Sequence, residues 1–350
     1  MNWKKGTALV LAGAMASSVL LAGCGKSIDK NAVAATLGDK EISLGLANFM
    51  AQYQAITYDS LFLGSYGEKM WSQDVFGSGS TMTESVKSSV MDQLELDYLL
   101  EQHMEEYNVE ITDEEMADIK AAAQQFMSDN TTKAIKATGA EEEYVTEMLR
   151  LVTLASKMED VIKAEADTEV SDDEAAQKTI SYIQIKTDSH KDDDGNTVAY
   201  TDEEKTQLAK TAEAVAEAAA TDFEAAATDN GYEVQTYSYG SDEDNSTMDA
   251  VATDAADKLK EGEVSGLLTA EDGTYYIVRL DSEFDKEATD KKKEEIVKQR
   301  QTDYYNQKKE EYLKDADWTV NEDIWKTVNF DELYTIKQED STEAVSSTEK

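Results

Sequence analysis

Apolar residues recur along this chain in two rhythms. Val86, Val90, Leu94 and Tyr98 repeat every fourth position and predict a helix from about Thr83 to Tyr107. An earlier helix is expected from Leu44 to about Leu63, opening near Ser43. Before it, Val33 to Ser43 reads as a short extended segment with a turn at Gly38-Asp39. Gly64 to Thr83 mixes Gly, Ser and aromatics and reads as a loop. Thr112-Asp113-Glu114-Glu115 is a capping-box pattern, in which the Thr hydroxyl accepts an orphan N–H and the Glu reaches back. The helix it opens carries Ile119, Ala123, Phe126 and Met127 on one face. Tyr144, Met148, Leu151, Val152, Ala155 and Ile162 give the most regular stripe, on a helix from about Glu141 to Ala166. Ser171-Asp172-Asp173-Glu174 repeats the capping pattern.

The rhythm then changes. Ile180 to Lys186 alternates as a strand does. Asp188 to Tyr200 reads as a polar loop with a turn at Asp194-Gly195-Asn196. Thr201 to Asp229 is Ala/Glu-rich and helical, opened by Thr201-Asp202-Glu203-Glu204. Tyr232 to Tyr239 alternates again, and Met248 to Lys260 is helical. Val264 to Thr269 and Tyr275 to Leu280 read as strands joined by a turn at Asp272-Gly273. The order β-α-β-α-β-β predicts a small α/β unit around one mixed sheet. Lys286 to about Leu313 is a charged helix on which Val297, Tyr304, Tyr305 and Tyr312 keep one face semi-apolar. Trp318, Ile324, Trp325, Phe330 and Tyr334 follow, and groups of that size should dock rather than stay exposed.

Composition narrows the function classes. The 350 residues carry 33 Lys+Arg against 74 Asp+Glu, a formal charge of −41. Phosphate backbones are bound by cationic side chains that displace counterions, so nucleic acid is excluded as a natural partner. One cysteine cannot form an intrachain disulfide, and there is no proline at all. X–Pro bonds isomerise slowly enough to limit folding, so a proline-free chain folds without that delay.

The cysteine sits at a telling place. Lys4 and Lys5 precede an apolar run from Ala8 to Ala22, too short to span a bilayer comfortably and laid out like a secretory signal. The run ends Leu21-Ala22-Gly23-Cys24, which resembles the bacterial lipobox. That resemblance implies cleavage before Cys24 and lipidation of its thiol. Two or three acyl chains hold a protein on a membrane firmly, whereas one does not. Loss of residues 1–23 removes Lys4 and Lys5 and takes the formal charge from −41 to −43, which disfavours flat adsorption on anionic lipid.

Several short motifs then point one way. Val33-Ala34 with Gly38 and Ile42-Ser43 matches the opening "VA…G..IT" of the PrsA/SurA-type extracytoplasmic foldases. Tyr107 to Glu115 matches their link "gi.vTdeE", and Gly262-Glu263-Val264-Ser265 their "GevS" turn. Tyr276-Ile277-Val278-Arg279-Leu280 sits where they carry "HIIkl". The chain thus resembles a foldase in which a parvulin-type prolyl isomerase domain is inserted into a helical chaperone module. The fold implied is α+β. Its parts would be a lipoprotein signal peptide (1–23), a tether (24–30), an N-terminal helical chaperone module (31–176), a parvulin-like domain (177–284), a C-terminal helical segment completing the module (285–336) and a disordered tail (337–350).

Two departures bear on chemistry. The family's "HIL" opening is Tyr182-Ile183-Gln184-Ile185 here, and its "HII" histidine is Tyr276. The "GGdLGw" stretch is missing between Asp229 and Gly240. No catalytic residue is therefore assigned. The two histidines, His103 and His190, align with neither position; His103 is expected on a surface and His190 in a solvated loop that makes a poor calcium site. No metal ligand set, P-loop or nucleophile elbow appears, and no cofactor is expected. Tyr53, Tyr58, Phe62, Tyr66, Met70, Trp71 and Phe76 could line an apolar groove for unfolded segments. The expected function is a lipid-anchored chaperone on the extracytoplasmic face of a bacterial cell membrane, binding unfolded or partly folded exported proteins, with a homodimer left open. An active isomerase with an altered site and a solute-binding lipoprotein of a transporter are the alternatives.

Overall fold

The computed structural model describes residues 28–67, 69–191, 195–240 and 247–330. The expected signal peptide, Cys24, most of the tether, Asp194, Tyr334 and the tail lie outside the described residues. In chain order the strands and helices are β1 (Val33–Leu37), β2 (Lys40–Ser43), α1 (Leu44–Tyr66), α2 (Met82–His103), α3 (Asp113–Asp129), α4 (Thr132–Thr138), α5 (Glu142–Lys163) and α6 (Asp172–Ala175). Next come β3 (Lys178–Ile185), β4 (Ser189–Lys191), β5 (Thr197–Ala199), α7 (Asp202–Ala219), α8 (Phe223–Thr228), β6 (Val234–Tyr239), α9 (Ala250–Ala256), β7 (Leu268–Thr269) and β8 (Tyr275–Ser282). The described chain closes with α10 (Lys286–Lys314), β9 (Trp318–Val320) and α11 (Glu322–Trp325). Two compact units result, one from residues up to 166 and from 302 on, the other from residues 167–301. The fold is α+β, and the first unit draws on both ends of the chain.

In the first unit, β1 turns at Gly38, whose φ of +56° suits a residue without Cβ, and pairs antiparallel with β2. The Ser43 hydroxyl then accepts the Leu46 N–H and caps α1. On its other edge β1 pairs antiparallel with β9, Ala35 facing Val320 and Leu37 facing Trp318. The core gathers Phe49, Ile56, Met82, Leu94, Ile119, Phe126 and Leu151 with Trp325 and Phe330. Tyr304, Tyr305 and Tyr312 pack partly buried against Leu100, Val109, Leu154, Met158 and Ile162, as their spacing on the charged helix required. Both hydrogen bonds of the Thr112/Glu115 capping box form, and a Thr81/Glu84 box that the pattern did not suggest opens α2.

One member of the α5 stripe is misplaced. Val152 is 41 % exposed. It lies one residue, about 100° of helix, beyond Leu151. The face that packs runs instead through Leu151, Leu154, Met158 and Ile162.

The second unit is a four-stranded sheet in the order β6-β3-β8-β7. Every pairing in it is antiparallel, so the expected mixed sheet is corrected. Because side chains alternate across a strand, Ile183, Ile185 and Ile277 face α7 and α8, meeting Ala212, Val215, Ala219 and Phe223. Ile180, Tyr276, Val278 and Leu280 take the other face, with Ala252 and Ala256 of α9. The polar loop expected over Asp188 to Tyr200 contains the hairpin β4/β5. Val264 to Thr269 is mostly not strand: Val264 makes a single bridge to Arg279, and only Leu268–Thr269 pairs. Ser171 accepts the Glu174 N–H, yet the helix it opens has one turn, and the Glu174 carboxylate accepts from Arg300.

Candidate functional site

The second face of the four-stranded sheet carries a set of phenol and amide side chains. Tyr182 and Gln184 on β3, Gln235, Tyr237 and Tyr239 on β6, and Tyr276 on β8 all project from it. The register puts Gln184, not Tyr182, directly opposite Tyr276. Tyr182 and Tyr276 are diagonal neighbours, with ring centroids 6.2 Å apart and planes inclined at 44°. Gln184 Nε2 donates to the Tyr276 hydroxyl at 2.7 Å, and the Tyr182 hydroxyl donates to Gln235 Oε1 at 2.8 Å. Both amides sit where residue type alone gave no signal; only the register reveals their role.

Burial raises both phenols above their ordinary value, and for Tyr182 the neighbouring Tyr276 and Tyr237 add to the rise. Tyr276 and Tyr239 are buried in this face, so Tyr182, Gln184, Gln235 and Tyr237 are the polar groups left partly open to a peptide. The face holds no imidazole: His190 is on β4, stacked on Tyr200 at 4.6 Å, and His103 belongs to the first unit.

Residues 186–298 match the family model of the PPIC-type PPIase domain. The stretch starts just after β3, so it includes Tyr276 and the Gly262 to Ser265 turn but not Tyr182, and it ends within α10. Among solved structures, the foldase protein PrsA of Lactococcus lactis is similar at 17 % identity, over 85 % of this chain and 97 % of that one, with a TM-score of 0.34. PrsA of Bacillus cereus is similar at 22 % identity over 70 % and 89 %, with a TM-score of 0.31. One of two SurA-like chaperones of Campylobacter jejuni is similar at 13 % identity over 83 % and 99 %, with a TM-score of 0.27. No curated protein matches the chain.

The "GevS" motif has a structural role in this sheet. Gly262 takes φ +81° and donates its N–H to the Leu280 carbonyl at 2.7 Å. Ser265 donates its N–H to the Val278 carbonyl at 2.7 Å, and its hydroxyl accepts the Val278 N–H at 2.9 Å. The irregular chain thus satisfies the edge of β8 that no full strand covers.

The aromatic group in the first unit divides. Met70 is wholly buried and Trp71 nearly so, while Tyr53 packs on Phe49 and Phe126. These are core residues. Tyr58, Phe62, Tyr66 and Phe76 form a separate cluster with ring centroids 5.6–6.2 Å apart. Its outer members Tyr66 and Phe76 are exposed, as is Leu61, one position before Phe62.

His103 is at the surface but partly covered. Its side chain is 27 % exposed, its ring lies 3.8 Å from that of Tyr312, and Nδ1 is 2.8 Å from Glu106. It helps line a cleft of about 510 Å³ with Leu37, Leu99, Tyr312 and Asp317. Among the described residues no cluster of His, Cys, Asp and Glu could hold a metal ion, and no helix is long and apolar enough to cross a membrane.

Proposed function

We propose that this protein is a lipid-anchored chaperone of exported proteins, in which the parvulin-like unit binds polypeptide but contributes little prolyl isomerisation. One observation carries the reading. A PPIC-type stretch, residues 186–298, sits in a chain whose first unit is assembled from segments on both sides of it. This reading makes the parvulin-like segment, expected over 177–284, an insert within a client-holding module; the second unit, residues 167–301, contains that segment and its flanks.

The chemistry of the sheet supports the weak catalysis. Rotating an X–Pro amide sacrifices its resonance against a barrier of about 18–20 kcal/mol. Lowering that barrier calls for a tuned donor at the twisted amide. Here the two positions hold neutral phenols, each already hydrogen-bonded to a glutamine. The lipobox-like Leu21-Ala22-Gly23-Cys24 supports export and anchoring at Cys24, on the outer face of a bacterial cell membrane. With a formal charge of −43 after cleavage, the body would stand off anionic lipid and attract basic or unfolded clients.

The deciding experiment follows a denatured exported protein refolding with and without the chain from Cys24 onward. Suppressed aggregation supports the proposal, and aggregation at the rate in buffer ends it. A protease-coupled assay on an X–Pro peptide tests the catalytic part, where a rate no faster than buffer is expected. Replacing Cys24 by Ser in a bacterial host should move the protein from the membrane to the soluble fraction.

A further inference from the structure

We propose that the aromatic ridge formed by the end of α1 and the loop after it is the docking surface for unfolded segments that combine apolar and cationic residues. This rests on the chaperone reading above and assigns it a place. Leu61 is 63 % exposed, Phe76 51 % and Tyr66 46 %, and beneath them lie the half-buried rings of Tyr58 and Phe62. Tyr66 and Phe76 both pack on Phe62 and still face water, and exposed rings in mutual contact mark an interaction surface rather than ordinary scatter.

The ridge is built on a fixed base. Trp71 Nε1 donates to Asp59 Oδ1 at 2.9 Å, and its ring stacks on Phe330 at 4.4 Å. Tyr58 packs edge-on against Trp71 at 6.5 Å. The Asp74 carboxylate accepts the N–H groups of Ser78 and Gly79 at 3.0 and 2.8 Å, which closes the loop that carries Phe76. Ring neighbours stand 5.6–6.2 Å apart, close to the roughly 6.8 Å between alternate side chains of an extended strand. An extended segment could therefore set successive same-side groups against successive rings.

Charge selects the occupant. The stretch Tyr58–Met82 carries only Asp59, Glu68, Lys69 and Asp74 as charged residues, in a chain of formal charge −41. The ridge is a nearly neutral apolar island in a strongly negative field. A second copy would bring its own negative charge against it, and an anionic bilayer would do the same. An apolar segment flanked by Lys or Arg gains from both terms.

The test uses the whole chain from residue 24 and short fluorescein-labelled peptides read by anisotropy. One peptide alternates Phe and Leu with Lys, a second replaces each Lys by Asp, and a third replaces each Phe and Leu by Ser. The first should bind best, and more weakly at raised ionic strength. The double variant L61S/F76S, altered only at exposed positions, should keep its unfolding midpoint and lose about tenfold or more in affinity, as for a central apolar anchor. Equal affinity in the variant overturns the proposal, as does equal binding of the Asp peptide. If the variant also protects a denatured client as well as the parent does, the ridge fails and the chaperone reading stands. If the parent neither binds nor protects, both fail. Binding to phosphatidylcholine/phosphatidylglycerol vesicles that the variant loses would make the ridge a lipid contact, and a dimer that the variant dissociates would make it a self-contact; either result overturns the assignment.

Discussion

Gln52 in α1 donates its amide Nε2 to the main-chain carbonyl of Asn329 at 2.8 Å. Close by, Lys87 of α2 donates to the Val328 carbonyl at 3.1 Å, and its ammonium lies 5.2 Å from the centre of the Trp325 ring. The last described turn of the chain is thus pinned onto the helices that its first third supplies. Trp325 is only 4 % exposed there. Trp325→Ala is expected to cost about 3–5 kcal/mol, the usual range for emptying a buried aromatic site. Urea titration followed by far-UV circular dichroism measures it. A loss below about 1 kcal/mol would mean that this segment decorates the first unit without holding it.

Asp97 sets a pH dependence of unusual direction. Its side chain is buried, Oδ1 accepts from Gln93 at 2.6 Å, and Oδ2 meets no donor among the described residues. Burial outweighs the Gln93 hydrogen bond and the attraction of Arg150, and raises the carboxyl from 3.8 to about 7. Unfolding returns it to the ordinary value, so the proton is held more tightly in the folded state. The stability tied to this proton is complete below about pH 3.8 and is lost as pH rises through about 7. The full loss is on the order of 4 kcal/mol, at 1.36 kcal/mol per unit. Asp97→Asn removes the titration. Its stability relative to the parent should rise steadily from pH 4 to pH 8, where the variant is the more stable. A pH-independent difference would show that Asp97 stays charged in the fold.

Much of this architecture was legible because local chemistry and tertiary packing agree. Ser43, Thr112 and Thr201 cap helices where the pattern placed them, since each hydroxyl satisfies a neighbour's N–H whatever lies beyond. The tyrosines of α10 and the pair Trp325 and Phe330 had to find cover, and they did. Where the sequence misled, distant partners decide. Strand direction in the second sheet depends on the register of β3 with β6 and β8, which alternation alone cannot give. Tyr182 and Tyr276 stood out by resemblance to motifs, but their glutamine partners appear only once Gln184 is seen facing Tyr276. The cover on His103 escaped because it is Tyr312, from the other end of the chain.

Gly45 shows how closely the first unit is packed. It is a buried residue of α1, and a Cβ built on it would lie 2.2 Å from the Tyr144 hydroxyl and 2.4 Å from its ring carbon Cζ. Gly→Ala normally favours a helix by about 0.8–1.0 kcal/mol. Here overpacking should reverse the sign, and Gly45→Ala is expected to destabilise by about 1–3 kcal/mol. Adding Tyr144→Leu, which withdraws the ring, should make the same Gly45→Ala change far less costly. Thermal unfolding of the four chains in this cycle decides it, and strict additivity would show that Tyr144 swings aside freely.

Ser265 offers the sharpest test of the second unit. Its hydroxyl takes the place of a strand carbonyl and accepts the N–H of Val278, a residue with no exposed surface. Ser265→Ala keeps the size of the site but leaves that N–H unsatisfied, at about 1–3 kcal/mol. The Ser265 N–H bond to the Val278 carbonyl survives, so the turn itself should persist. Amide exchange should therefore quicken at Val278 and its neighbours in β3 and β8, while amides of α2 and α5 keep their protection. Threonine retains the hydroxyl, so Ser265→Thr should recover protection wherever its extra methyl fits. Unchanged exchange at Val278 in the alanine variant would mean that water replaces the hydroxyl there. The turn would then be held chiefly by Gly262, whose positive φ and bond to the Leu280 carbonyl fix where the chain rejoins the sheet.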